Sequence, residues 1–177
     1  MNPYRFQQLE MDQGAAREEY ERLFYTSFLK ASNNRLVHTL WAWDHDTRRL
    51  ATRIGYEDQM IFGARDGTGR LESAIAFNVL LKDFQSLAFG FPPPRDSTGC
   101  FEVLTFFSRN SSLQLQLHLW SHCLGQMTVR GFHTAFATTA HRPLKSYVRI
   151  GWKAIGRGLV NGEERSFLSY DLNTRPK

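Results

Sequence analysis

The chain has 177 residues, 42 % of them hydrophobic, 14 % aromatic and 22 % charged. That balance excludes a disordered or fibrous chain and supplies a core for one folded domain over residues 1–177. A formal charge of +5 favours anionic partners, yet the basic residues are scattered and no nucleic-acid motif organises them. No apolar run approaches the ~20 residues of a membrane helix, and the N-terminus lacks the apolar core of a signal peptide. Cys100 and Cys123 have neither metal nor disulfide spacing. A cytoplasmic protein with reduced thiols is the expectation.

Tyr4 to Leu9 alternates weakly and predicts a first edge strand. Asp12 reads as the N-cap of a helix running to about Lys30, with Tyr20, Leu23, Phe24, Ser27 and Phe28 on its buried face. Leu36, Leu40 and Trp43 share a face of a second helix, and the Arg-rich stretch Asp44 to Tyr56 reads as a loop or a loosely held helix. Gln59 to Arg65 is a strand, Asp66-Gly67-Thr68-Gly69 a hairpin turn, and Arg70 to Leu80 the returning strand. Phe84 to Phe91 is a further strand or an irregular crossing, and Pro92 to Gly99 a stiff loop.

Cys100 to Phe107 is a strongly apolar central strand carrying one acid, Glu102. Ser108 to Ser112 offers several N-caps. After it Leu113, Leu117, Trp120, Leu124 and Met127 step by four and three, predicting the buried stripe of a helix closed by Gly131. His118 and His122 lie four apart on that helix, but no third ligand has matching spacing and no metal is expected. Phe132 to Thr139 is a buried strand, Ala140 to Ile150 contains a short helix, and Lys153 to Val160 with Arg165 to Leu172 forms a hairpin around Asn161-Gly162.

The spacing Tyr147-x-x-x-Gly151-Trp152, behind the Phe132 to Thr139 strand, resembles the C-terminal half of the GCN5-related N-acetyltransferase (GNAT) superfamily. The order of elements extends the resemblance over nearly the whole chain. It implies an α/β fold: a mixed, mostly antiparallel central sheet with a splayed parallel strand pair and helices on both faces. It also implies an N-acyltransferase that moves an acyl group from a thioester of coenzyme A or 4′-phosphopantetheine to a small amine, without a metal.

The family's phosphate loop is glycine-rich, whereas this chain has Arg109-Asn110-Ser111-Ser112. Phe101-Glu102, Ile150-Gly151-Trp152-Lys153 and Gly162-Glu163-Glu164-Arg165 resemble instead the autoinducer synthases and N-acyl amino acid synthases, which take acyl groups from acyl carrier protein. On this resemblance Glu102 is the expected base and Tyr147 the group beside the sulfur, a phenol of pKa near 10 matching a thiol leaving group. Phe106, Phe107, Arg109, Ser111, Ser112, Thr138, Thr139 and Arg142 are the expected cofactor contacts. Arg142, Lys145 and Arg149 form a basic edge that an acidic carrier protein would meet. An ordinary acetyl-CoA-dependent N-acetyltransferase and a non-catalytic GNAT-like binding module are the alternatives.

Overall fold

The structure, a computed structural model, describes residues 3–12, 14–29, 35–109, 112–140 and 144–174. Strand β1 (Arg5–Gln8) is followed by helices α1 (Gly14–Leu29) and α2 (Arg35–Leu40), then by a small hairpin of β2 (Ala42–Asp44) and β3 (Arg49–Ala51). A 3₁₀ turn at Tyr56–Asp58 leads into β4 (Gln59–Arg65) and β5 (Leu71–Asn78), and the short helix α3 (Gln85–Ala88) precedes β6 (Cys100–Ser108). Helix α4 (Leu113–Val129), β7 (Thr134–Ala140), α5 (Leu144–Arg149), β8 (Lys153–Val160) and β9 (Glu163–Asp171) complete the order.

One sheet of seven strands runs β1-β4-β5-β6-β7-β9-β8. Every neighbouring pair in it is antiparallel except β6–β7. Helix α1 packs over β5 and β6 while α4 packs over β4 and β5, on opposite faces. Central strands are covered on both faces, so β5 is buried at every position and β6 nearly so, and their buried acids are paired, Glu72 with Arg70 and Glu102 with Asn78 and two backbone N–H groups. Among the described residues, no helix is long and apolar enough to cross a membrane. Cys100 and Cys123 are buried free thiols.

Aromatic stacking fixes α1 on its face. Phe24 is fully buried and lies parallel to Phe107, with ring centroids 4.8 Å apart. Phe28 and Trp41 meet Phe24 edge-on or tilted from the same side. Tyr20, Leu23 and Phe24 are buried as the periodicity requires, together with Tyr25 and the acid Glu21. Glu21 accepts hydrogen bonds from Arg17, Arg49 and Tyr56, so three donors offset the burial of its charge.

Three elements differ from the sequence reading. Trp43 is not on the second helix: the chain turns at Trp41, and Trp43 sits on β2 with its indole donating to Val37 O. The Arg-rich stretch is a hairpin, closed by Asp44 accepting from Thr47 and by Arg48 at a φ of 56°. Phe84 to Phe91 holds one helical turn, ended by Gly90 at a φ of 81°. The buried stripe of α4 is also rotated: Leu115, Leu119, Trp120, Cys123 and Met127 face the sheet. Leu113 and Leu117 are 66 % and 38 % exposed. Both stripes share Trp120 and Met127, and with leucines on each the spacing does not choose between them.

Phe24→Ala removes a fully buried ring from this stack and is expected to destabilise the fold by about 3–5 kcal/mol in a denaturant titration. A change under about 1 kcal/mol would contradict the packing described, since that is the scale of ordinary surface substitutions or less.

Candidate active site

Strand β6 must serve two unlike neighbours. Toward β5 it carries one residue too many: Ala76 faces Thr105 while Phe77 faces Val103, so Leu104 bulges out of register. A bulge bends its strand and increases the local twist. Toward β7 the pairing extends only from Cys100–Thr134 to Val103–Ala137, although β6 continues to Ser108 and β7 to Ala140. The parallel pair therefore parts at the bulge. A cleft of about 250 Å³ opens there, with Val103 to Phe106 on one wall and Ala137 to Ala140 on the other.

The walls present backbone as well as side chains. Alternate residues of an antiparallel strand point their polar groups at alternate neighbours. Arg109 N–H bonds Glu72 O on the β5 side, which directs the backbone of Phe106 and Ser108 to the opposite edge, facing the gap. Leu172 N–H bonds His133 O on the β9 side, which directs Thr138 and Ala140 toward the gap as well. Two sheet edges thus face each other without a strand between them.

Three of the expected cofactor contacts, Phe106, Thr138 and Thr139, line this cleft together with the expected catalytic residue Tyr147. The T-shaped packing of Tyr147 on Trp152, at 5.8 Å and 88°, gives the Tyr-x-x-x-Gly-Trp spacing its geometric meaning. Gly151 makes the intervening turn at a φ of 101°, and Trp152 N–H returns to Tyr147 O. The Tyr147 hydroxyl has no hydrogen-bond partner among the described residues, and burial holds its pKa above the ordinary phenol value.

The others lie elsewhere. Phe107 points to the opposite face, into the α1 stack. Arg109 turns to β5, where it reaches Glu72 at 3.5 Å and Leu71 O at 3.5 Å, beside a surface recess with Glu18 and Glu19. Ser112 caps α4, its hydroxyl accepting from Leu115 N–H at 3.3 Å. Ser111 and Arg142 lie outside the described residues.

Glu102, the expected base, is 1 % exposed and does not line the cleft. Its carboxylate accepts from Gln85 N–H at 2.8 Å, Ser86 N–H at 2.7 Å and the Asn78 amide at 3.3 Å. Burial pushes its pKa up, and these donors pull it partly back. Gln85 carries the restraint onward. Its amide nitrogen donates to Leu104 O at the bulge, and its carbonyl accepts from the Trp41 indole. Glu102 thus pins the first turn of α3, and α3 pins the bulge.

Gln85, Trp41, Thr105 and Arg165 are cleft residues to which the sequence reading gave no site role. Thr105 lies 3.3 Å from the Tyr20 hydroxyl. Arg165 is 3 % exposed, with its guanidinium 4.2 Å above the Phe89 ring and 3.7 Å from the Glu163 carboxylate. Its sequence signal was its place at the end of the Gly162-Glu163-Glu164-Arg165 resemblance, which assigned it no role. Among the described lining residues there is no carboxylate and no imidazole. No group of three or more His, Cys, Asp or Glu among the described residues is placed to hold a metal ion.

No protein-family model matches the chain, and no curated protein matches it by sequence. Solved structures do. The CoA-dependent acyl-homoserine lactone synthase MesI superimposes with a TM-score of 0.74 at 16 % identity, covering 97 % of this chain and 90 % of its own. The chain has the GNAT fold. The acyl-homoserine lactone synthase BjaI, with SAM and isopentyl-CoA, gives a TM-score of 0.71 at 15 % identity over 96 % of this chain and 84 % of its own. The ribosomal-protein-S18-alanine N-acetyltransferase from Escherichia coli gives 0.63 at 9 % identity over 97 % and 96 %. The parallel pair β6–β7, parting at a bulge, is the splayed pair that the resemblance to GNAT proteins implied.

Glu102→Gln leaves one of two buried N–H groups facing an amide NH₂, a penalty of about 1–3 kcal/mol. Thermal unfolding should fall by about 2–4 °C for each kcal/mol. An unchanged melting temperature would contradict the pinning role.

Proposed function

We propose that the protein is an N-acyltransferase that moves an acyl group from a thioester, carried by coenzyme A or 4′-phosphopantetheine, to a small primary amine. The observation that carries this reading is the gap between β6 and β7, where two unpaired sheet edges face each other. An extended pantetheine chain carries amides that match such edges in the manner of an added strand. The first turn of α4, at the end of the same strand β6, offers N–H groups and the positive end of a helix dipole to the phosphates. Ser112 and, outside the described residues, Ser111 and Arg142 are the proposed helpers there.

In the reaction the amine nitrogen attacks the thioester carbonyl and a C–N bond forms. The carbonyl oxygen takes negative charge, and Phe106 N–H on the cleft-facing edge is the proposed donor to it. The C–S bond then breaks. Tyr147, neutral well above physiological pH, is the proposed donor to sulfur, and the proton lost by the amine returns through water to restore the phenol. No carboxylate lines the described cleft, so the amine enters in its neutral form with water taking its proton. Glu102 is proposed as a positioning residue that sets the bulge, rather than as the base. The aromatic lining of Phe28, Phe89 and Phe106 favours an acyl chain longer than acetyl, each buried CH₂ contributing about 0.8 kcal/mol.

Thiol release from acetyl-CoA, octanoyl-CoA and octanoyl acyl carrier protein, measured with and without amines, tests the reading. Amine-dependent release with amide in the mass spectrum supports it; no release from any donor would favour a binding module. Tyr147→Phe should lower kcat by about tenfold or more while moving stability by less than about 0.5 kcal/mol, since the lost hydroxyl bonds nothing in the described protein. Because burial raises the Tyr147 pKa, the wild-type rate should show no alkaline decline from this group below about pH 10. Full activity in Tyr147→Phe would remove it from the mechanism.

A further inference from the structure

The bulge in β6 also decides which way Thr105 points. Along a regular strand, successive side chains turn to opposite faces. Val103 belongs to the cluster under α4 and Phe106 packs against it, whereas Leu104 lies in the cluster under α1. Regular alternation would send Thr105 back to the α4 side. With the surplus residue it stays on the α1 side, its hydroxyl 3.3 Å from that of Tyr20. Across the gap Ala137 belongs to the α4 cluster, so Thr138 turns the other way, beside Phe167 and on the face of Phe136. Both threonines line the cleft. The point where the parallel pair parts is thus flanked by two hydroxyls on one face, while Tyr147 packs against the α4 cluster on the other.

Tyr20 fixes what the Thr105 hydroxyl can do. Tyr20 is buried, and burial holds its phenol above the ordinary value, so it keeps its proton. Among the described residues its hydroxyl meets only Thr105. Were Thr105 the donor of that bond, the phenol proton would be buried without an acceptor, at the full desolvation penalty. Tyr20 therefore donates. One lone pair of Thr105 Oγ1 is taken, and the other faces the cleft.

We propose that Thr105 and Thr138 are catalytic residues that seat the acceptor nitrogen, each hydroxyl oxygen accepting one N–H of a primary amine, with Tyr20 as the positioning residue of Thr105. This rests on the acyl-transfer reading above. With both hydrogens held, the nitrogen lone pair is left for the thioester carbonyl, whose sulfur lies toward Tyr147 on the opposite face. As the C–N bond forms the nitrogen gains positive charge, so both N–H···O bonds strengthen in the transition state and act on kcat. One of the two hydrogens is the proton that water then takes up as the C–S bond breaks. A secondary amine brings only one N–H to the two seats.

The test sets a panel of primary amines against their N-methyl derivatives, with octanoyl-CoA, acetyl-CoA and octanoyl acyl carrier protein as donors and amide formation by mass spectrometry as readout. The wild type should turn over the best primary amine faster than its N-methyl derivative by about tenfold or more in kcat. In Thr105→Val, and separately in Thr138→Val, kcat with that primary amine should fall by about 10- to 100-fold at an unchanged donor KM. The N-methyl amine still finds one seat in either variant and should lose less than about threefold. Thr105→Ser should restore most of the rate, and Tyr20→Phe should give an intermediate loss that again spares the N-methyl amine. The wild-type preference is informative even where a variant folds poorly. Equal turnover of the two amines by the wild type would overturn the assignment while leaving acyl transfer intact. So would a folded Thr105→Val that keeps its rate, or one that loses both amines alike. Failure of every donor with every amine would overturn the acyl-transfer reading and this inference with it.

Discussion

One surplus residue, Leu104 in β6, is the constraint on which the site depends. With Leu104 out of register, the strand keeps β5 as a neighbour along its length but abandons β7 after Val103. A bulge left to itself relaxes. Here its carbonyl is tied by Gln85, whose own backbone is tied by Glu102 and whose side chain is tied again by Trp41. The deformation at the centre of the sheet is thus braced by a buried carboxylate one turn of chain away. An acid in an apolar strand suggests a base from sequence; in the fold its carboxylate accepts from Gln85 N–H, Ser86 N–H and the Asn78 amide.

The consequence for chemistry is a division of labour between faces. The α4 side offers a phenol with no described partner and a capped helix N-terminus at the end of β6. The α2–α3 side offers aromatic walls and a buried guanidinium. The described lining of the cleft between them consists of backbone edges, threonines and aromatic side chains, a setting that can bind and align reactants. A neutral amine and an activated thioester need little more.

Much of the architecture was legible in the sequence because its signals were local. The Asn161-Gly162 turn, with φ of 49° and 82°, the Asp66 hairpin and the strand limits Gln59–Arg65 all follow from turn chemistry and alternation. Tyr147 was legible because Gly151 and Trp152 fix its register. The face of α4 was not, since leucine occupies both candidate stripes. Arg109 misled because a cation after a central strand suggests phosphate, whereas Glu72 on the neighbouring strand claims it. Gln85 was silent, and Arg165 stood out only as the end of the Gly162-Glu163-Glu164-Arg165 resemblance, with no role attached. Their roles depend on Phe89, Leu104 and Trp41, partners 76, 19 and 44 residues away in the chain, and no local pattern announces such contacts.

The most direct test of the account is a crystal structure with a non-hydrolysable octanoyl thioether of coenzyme A. The account predicts pantetheine running between β6 and β7, with the acyl carbonyl accepting from Phe106 N–H and the sulfur position beside the Tyr147 hydroxyl. An analogue bound in the recess beside Arg109, or outside the cleft altogether, would contradict it.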